Sequence, residues 1–349
     1  MSLMRQEIGE IPRSVARLLD EGADAAAVTA EAIDRARPRW VVIAGRGTSD
    51  HAAVYARYLF ETCLGLPTGL SAPSVTTVYR APIDWRGGLV LGVSQSGQSP
   101  DIVSVLTQAR IGGAVTVAIT NDAGSPLAEA AQHVLDCHAG VERSVAATKT
   151  YVAELVTIAA LIARLRPSSS VGASLGDLPD VLDGCLDAAQ GWLDGSGVVQ
   201  ALAGCDRALV LSRGYNLATA LEVALKLKET SGLFADGYST ADLEHGPLVL
   251  AGHTVPALVF RPDGEMGKRI DGVVARLGAG AISWMVGGRE VKGSTADGTP
   301  PLSLQLDLPE SLTPPALVIP GQLLAEAVAR SLGRDPDAPP GLEKVTLTI

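Results

Sequence analysis

"GLVLGVSQSGQSPDIVSVLTQAR", residues 88–110, is the stretch on which the fold turns. Six apolar or glycine residues lead into six that hold three serines, two glutamines and one glycine. Pro100, Asp101 and a run with helical spacing follow. This reads as a strand, a polar turn and a helix. Reversing a chain needs only one or two turn residues, so the hydroxyls exceed what a turn requires.

The same rhythm surrounds it. "WVVIA" (40–44), "AVTVAI" (114–119) and "HVLDC" (133–137) read as strands. "SDHAAVYARYLFETCL" (49–64) and "TKTYVAELVTIAALIARL" (148–165) read as helices. Strands alternating with helices predict an α/β fold whose parallel sheet is covered on both faces. "RPSSSVGASLGDLPD" (166–180) reads as a linker, after which the pattern restarts. "RALVLSRGYNLATALEVALKLKE" (207–229) echoes "RWVVIAGRGTSDHAAVYARYLFE" (39–61), each with a strand, an Arg-Gly turn and a long helix. A duplicated domain is therefore expected. The expected organisation is an N-terminal helical segment (1–24), a first α/β domain (25–166), a linker and helix (167–195), a second α/β domain (196–335) and a tail (336–349).

The halves are unequal. Where the second half should repeat "SQSGQS", it offers "FRPDGE" (260–265), without a hydroxyl. The serines are needed once, which points to a site. A strand running into a Ser/Gly turn and a helix gathers backbone N–H groups and the positive helix end on one small volume. Ser94, Ser96 and Ser99 can donate to an oxyanion there, with Gln95 beside them. Gly97 would permit close backbone approach to a ligand, and Ser99 would cap a helix begun by Pro100. A capped helix after a polar turn is the plainer reading of the same residues. The absence of a P-loop lysine turns the expectation from nucleoside triphosphates to a single phosphate on a small molecule. "AGRGTSD" (44–50) is a second such turn, with Thr48 and Ser49 as donors.

Composition narrows the partners. The 349 residues are 47% hydrophobic and carry a net charge of −10, against nucleic acid as a ligand. No apolar run approaches the roughly 18 residues a membrane span needs. The charged start lacks a signal-peptide core, so a cytoplasmic protein is expected. Cys63, Cys137, Cys185 and Cys205 read as buried thiols. His51, His133, His138 and His253 show no metal-ligand spacing and read as structural.

Six motifs occur in order: "GRGTS", "SQSGQSPD", "VERSVAATKTY", "LSRGYNLATALEVALKLKE", "DLEHGP" and "PPGLEKVT". Together they resemble the tandem sugar isomerase (SIS) domain proteins, which include the isomerase half of glutamine–fructose-6-phosphate aminotransferase and SIS-type amino-sugar-phosphate deaminases. The resemblance implies two domains, each a flavodoxin-like three-layer sandwich. It implies a phosphate site at Ser94, Gln95, Ser96 and Ser99. Thr48 would face the sugar with Ser49 adjoining, and the backbone of Val145 would meet its hydroxyls. Ala147 stands where the synthases usually have serine, which leans toward the deaminases.

The family's chemistry moves a proton between C1 and C2 of an open-chain sugar phosphate. That calls for a carboxylate base, a ring-opening group and a cation near the developing oxyanion. By resemblance, Glu229 is the base and His245 the ring opener, inserted into the neighbouring subunit's site. Lys344 belongs to the tail that closes over the sugar. Lys226, three residues before Glu229, shares its helix face. Read without the resemblance, these are a solvated Glu–Lys pair, a loop histidine and a tail lysine. With no cysteine before Cys63 to serve as a glutaminase nucleophile, the expected reaction is amino-sugar-phosphate isomerisation and deamination without glutamine hydrolysis. Deglycation of a fructosamine phosphate and galactosamine-phosphate deamination are the enzymatic alternatives. A sugar-phosphate-binding regulator is the non-enzymatic one. No cofactor and no metal are expected, and the partners are a hexose phosphate and a second subunit.

Overall fold

A computed structural model describes residues 1–250, 255–277, 283–291 and 298–346. Two compact units emerge, and neither is one continuous stretch. One comprises Glu10–Glu142 and Lys149–Pro179 with the tail from Glu343; the other comprises Met1–Gly9, Arg143–Thr148 and Asp180–Leu342.

The first unit is built on β1 (Trp40–Ala44), β2 (Thr68–Leu70), β3 (Gly88–Val93), β4 (Val115–Thr120) and β5 (His133–Asp136). They form a parallel sheet in the order β2-β1-β3-β4-β5. Alternate residues face opposite sides of each strand. Val42, Ala44, Val90 and Ala118 pack toward Ile102, Val105 and Leu106 of the helix Pro100–Ile111. The helices Ala23–Ala36 and Thr48–Leu64 each pack against Lys149–Leu165, and all three against the sheet. Lys149–Leu165 is buried along nearly its whole length, with its charges confined to Lys149, Glu154 and Arg164.

The second unit repeats the plan with β6 (Arg207–Ser212), β7 (Phe234–Ser239), β8 (Ala257–Arg261), β9 (Ser283–Gly287) and β10 (Leu302–Ser303). Its order, β10-β9-β8-β6-β7, is the first sheet's order read from the other edge. The helices Leu217–Ser231 and Pro314–Ser331 pack together. They approach so closely that a Cβ on Gly321 would stand 2.2 Å from Val223 Cγ2. Leu209, Leu211 and Val259 pack instead with Ile270 and Val273 of the helix Glu265–Val274.

Two local expectations fail. The stretch 166–180 is not a bare linker: Ser169 caps a short helix, Ser170–Ser174, and a long one begins at Leu178. Val171 is fully buried, which a solvated linker would not require. The four cysteines are also not alike. Cys137 and Cys185 are buried, and burial pushes the Cys185 thiol up to about 12, whereas Cys63 and Cys205 are half-buried.

Candidate functional site

Within the first unit, the loop 94–99 leaves the carboxyl end of β3 and enters the helix Pro100–Ile111. Ligands of parallel sheets gather at this edge. The loop is held from within: Gly97 N–H donates to Ser94 O and Ser94 Oγ at 3.2 Å, and Gln98 N–H to Ser96 Oγ at 3.3 Å. It is also held by the segment after β4, where Asn121 N–H donates to Gln95 O and Leu127 N–H to Gly97 O. The serine hydroxyls act here as acceptors, so their protons remain for a ligand.

Two readings of this loop need correction. Gly97, at φ +61°, turns its open side to Ser125, whose Oγ lies 2.0 Å from where a Cβ would be. The glycine therefore serves packing against the neighbouring loop rather than approach to a ligand. Ser99 occupies the position before the helix, but its side chain makes no capping bond. The helix start depends on Pro100 and on Asp101, whose Oδ1 accepts Ile102 N–H at 2.9 Å.

The turn after β1 differs from expectation in a similar way. Thr48 opens the helix Thr48–Leu64 and is half-buried. Ser49 is buried, and its hydroxyl donates to Glu154 Oε1 at 2.8 Å, so it ties two helices instead of facing a ligand. Arg46, in the same turn, has a partner that is distant in sequence. Its Nε donates to Asp101 Oδ2 at 2.8 Å, joining the turn after β1 to the helix after the serine loop. Burial raises the Asp50 carboxyl pKa, against the opposing pull of His51 and Arg46.

Lys344 lies in the same unit. Its Nζ donates at 2.7 Å to Oε2 of Glu142, a fully buried carboxylate that also accepts from Thr150 Oγ1 and N. A tail lysine on a buried acid is not a solvated one. Glu142, 202 positions away, offered no local signal.

In the second unit, Lys226 and Glu229 ride on the helix Leu217–Ser231. Lys226 is 1% exposed; its Nζ lies 2.6 Å from Glu229 Oε2 and 3.3 Å from Glu222 Oε1. Glu222 is fully buried, while Glu229 keeps 23% of its side chain exposed. The solvated-pair reading fails, because two carboxylates and an ammonium share one buried helix face. Burial alone would lower the Lys226 pKa, but the two carboxylates outweigh it and hold the ammonium above its ordinary value. The arrangement presents one carboxylate, its orientation fixed by a permanent cation, to solvent or a ligand. The missed partner, Glu222, sits four residues before Lys226, a spacing that sequence could have flagged.

His245 stands on an exposed turn after the short helix Thr240–Leu243, with its N–H donating to Asp242 O. Val145 belongs to this unit, and its N–H donates to Asp337 O at 3.1 Å. Only its carbonyl is left to meet a sugar hydroxyl. Nearby, Gln322 Nε2 donates to Thr148 O at 3.2 Å. Among the other histidines, His138 pairs with Glu21, burial lowers the His133 pKa, and His51 is half-buried. His253 lies outside the described residues. Among the described residues no group of three or more His, Cys, Asp or Glu could hold a metal ion, and no helix is long and apolar enough to cross a membrane.

Comparison with known proteins follows the same geometry. The SIS domain family matches residues 36–164. A crystal structure from Silicibacter pomeroyi DSS-3, provisionally named a phosphosugar isomerase, is 37% identical with a TM-score of 0.85, covering 97% of this chain and 100% of that one. The C-terminal domain of glucosamine-fructose-6-phosphate aminotransferase from Francisella tularensis is 26% identical with a TM-score of 0.86, covering 97% and 98%. The glutamine–fructose-6-phosphate aminotransferase [isomerizing] of Methanothermobacter thermautotrophicus is 33% identical over 98% of this chain and 56% of its own length. The chain spans little more than half the length of the curated relatives it matches.

Proposed function

This chain belongs to the SIS domain family, and we propose that it isomerises and deaminates an amino-sugar phosphate. The observation that carries this reading is the Glu222–Lys226–Glu229 constellation. A buried lysine fixed 2.6 Å from a partly open carboxylate suits proton transfer at a ligand better than it suits a surface. Likeness to a phosphosugar isomerase and to an isomerising aminotransferase domain supports the substrate class.

In this reading the loop 94–99 holds the phosphate through Ser94, Gln95, Ser96 and Ser99, with Thr48 and the Val145 carbonyl on the sugar. His245 opens the ring. Glu229 takes the C2 proton of the open-chain 2-amino aldose and returns a proton to C1, leaving an imine at C2. Water hydrolyses that imine to a ketose phosphate and ammonia, so one water is consumed and one ammonia released. Lys226, staying protonated at neutral pH, holds Glu229 in register. Lys344 closes the tail over the sugar.

The test is incubation with glucosamine 6-phosphate, and separately with fructose 6-phosphate plus ammonia, following ammonia and both sugar phosphates. Ammonia release with ketose formation is the expected result. Calorimetric binding without turnover in either direction would replace the enzyme with a sugar-phosphate sensor.

A further inference from the structure

The loop 94–99 contains no Lys or Arg, yet the group assigned to it is a phosphate that is largely dianionic at neutral pH. We infer that Arg46 supplies the missing cation and is a specificity-determining residue for the phosphate; the inference rests on the reading of this loop as a phosphate cradle.

Register carries the first part of the argument. β1 and β3 are parallel neighbours with Ala44 opposite Gly92, so Arg46 and Ser94 leave the sheet side by side at the same edge. The second part is the anchor. Nε of Arg46 donates at 2.8 Å to Asp101, which is 1% exposed and lies in the first turn of the helix that the serine loop enters. Asp101 is itself fixed, because its other oxygen accepts Ile102 N–H. The guanidinium is thus held at the helix end that the serine loop enters. The third part is what the anchor leaves open. Arg46 keeps 47% of its side chain exposed, and no hydrogen bond among the described residues uses its two terminal nitrogens. A guanidinium gripped through Nε presents those nitrogens as a planar, two-pronged donor, the geometry that suits two phosphate oxygens. An arginine serving only to brace Asp101 would have no need to keep that edge in solvent.

The two lysines of this unit are committed elsewhere. Lys149 is buried on Glu10 and Val141 O, and Lys344 on Glu142. Hydroxyls and backbone N–H groups can hold a phosphate alone, but they discriminate weakly between a charged phosphate and a neutral polar group. A fixed guanidinium makes charge the criterion.

The experiment compares wild type with Arg46→Met, Arg46→Lys and Asp101→Asn, using glucosamine 6-phosphate as substrate and inorganic phosphate as competitor. Arg46→Met should raise the KM and the inhibition constant of inorganic phosphate by a similar factor, about 10- to 100-fold, with kcat at saturation nearly unchanged. Arg46→Lys should recover part of both, since it keeps the charge and loses the fork. Asp101→Asn should give a smaller rise in both, because the guanidinium remains but is held less firmly. If wild type turns over substrate while Arg46→Met leaves both constants unmoved, the inference is overturned. It is equally overturned if kcat and melting temperature fall but the inhibition constant stays unchanged, because that is the signature of a brace. A wild type that binds neither probe by calorimetry would fail earlier, at the cradle itself, and would remove this inference with it.

Discussion

The two sheets share a strand order, but the loops at matching places do opposite things. After β3 comes the serine loop, hydrogen-bonded to itself through backbone N–H groups and leaving hydroxyl protons unspent. After β8 comes "RPDGE", where Arg261 is buried under its own acids: Asp271 at 2.8 and 3.0 Å, Asp263 at 3.5 Å and Glu290 at 3.6 Å. The second loop spends its one arginine on neighbouring acids. The helices diverge in the reverse sense. Thr48–Leu64 turns Ser49 inward to a structural bond, while Leu217–Ser231 carries the Glu222–Lys226–Glu229 constellation. One architecture, used twice, carries a hydroxyl-rich loop in one copy and a buried carboxylate–lysine constellation in the other, which under the proposed function are an anchor and a proton-transfer group.

The sharpest way to break this division is Glu229→Gln. We expect kcat for glucosamine 6-phosphate to fall by about 10²- to 10⁴-fold, with binding measured by calorimetry largely preserved. A variant that still turns over would move the chemistry out of the second unit.

Ser96→Ala combined with Ser99→Ala should do the reverse, raising KM by roughly 10-fold or more while kcat holds, since each charge-assisted bond contributes about 1.5–3 kcal/mol. Equal effects on both constants would mean that the loop is not an anchor alone.

Gly321→Ala probes the floor beneath the constellation. Its methyl would meet Val223 on the helix that bears Lys226, and we expect a loss of about 1–3 kcal/mol in thermal or denaturant unfolding. The pH dependence of the same helix has a definite sign. The folded-state pKa of Lys226 is raised, so its pairing contributes stability that is complete below its unfolded value near 10.5 and is lost as pH rises through the folded value. Melting temperature followed from pH 8 upward should therefore fall earlier in Glu222→Gln than in wild type. The smallest effect should come from Asp271→Asn, at about 1 kcal/mol, because Arg261 keeps two other carboxylates.

Much of this architecture was legible locally. β1, β3 and the helix Pro100–Ile111 follow from patterns of two and 3.6 residues, which report directly which face is buried. β2 escaped because three residues, one of them glycine, carry no periodicity. The candidate site was legible only as far as each residue's role depends on its neighbours in sequence. Lys226 and Glu229 are three apart and could be paired by counting. Arg46 with Asp101, Ser49 with Glu154, and Lys344 with Glu142 are joined only by the packing of distant segments, and each changed the meaning of its residue. Ser49 became a brace, and Lys344 became the partner of a buried acid. The correction to Gly97 has the same origin, since it is Ser125 from the neighbouring loop that fills the space beside it.

The first helix, Leu3–Gly9, has a consequence in time. The N–H groups of Leu3 and Met4 both donate at 2.7 Å to the carboxylate of Asp337, Ser2 and Arg5 reach Glu326, and Met4 and Ile8 are fully buried. These partners are made more than 300 residues later. As the chain leaves the ribosome, Met4 and Ile8 must wait for Glu326 and Asp337. The segment Leu3–Gly9 thus completes the second unit only once Asp337 has emerged, and a nascent chain halted before Asp337 would display Met4 and Ile8 to whatever chaperone or protease was near.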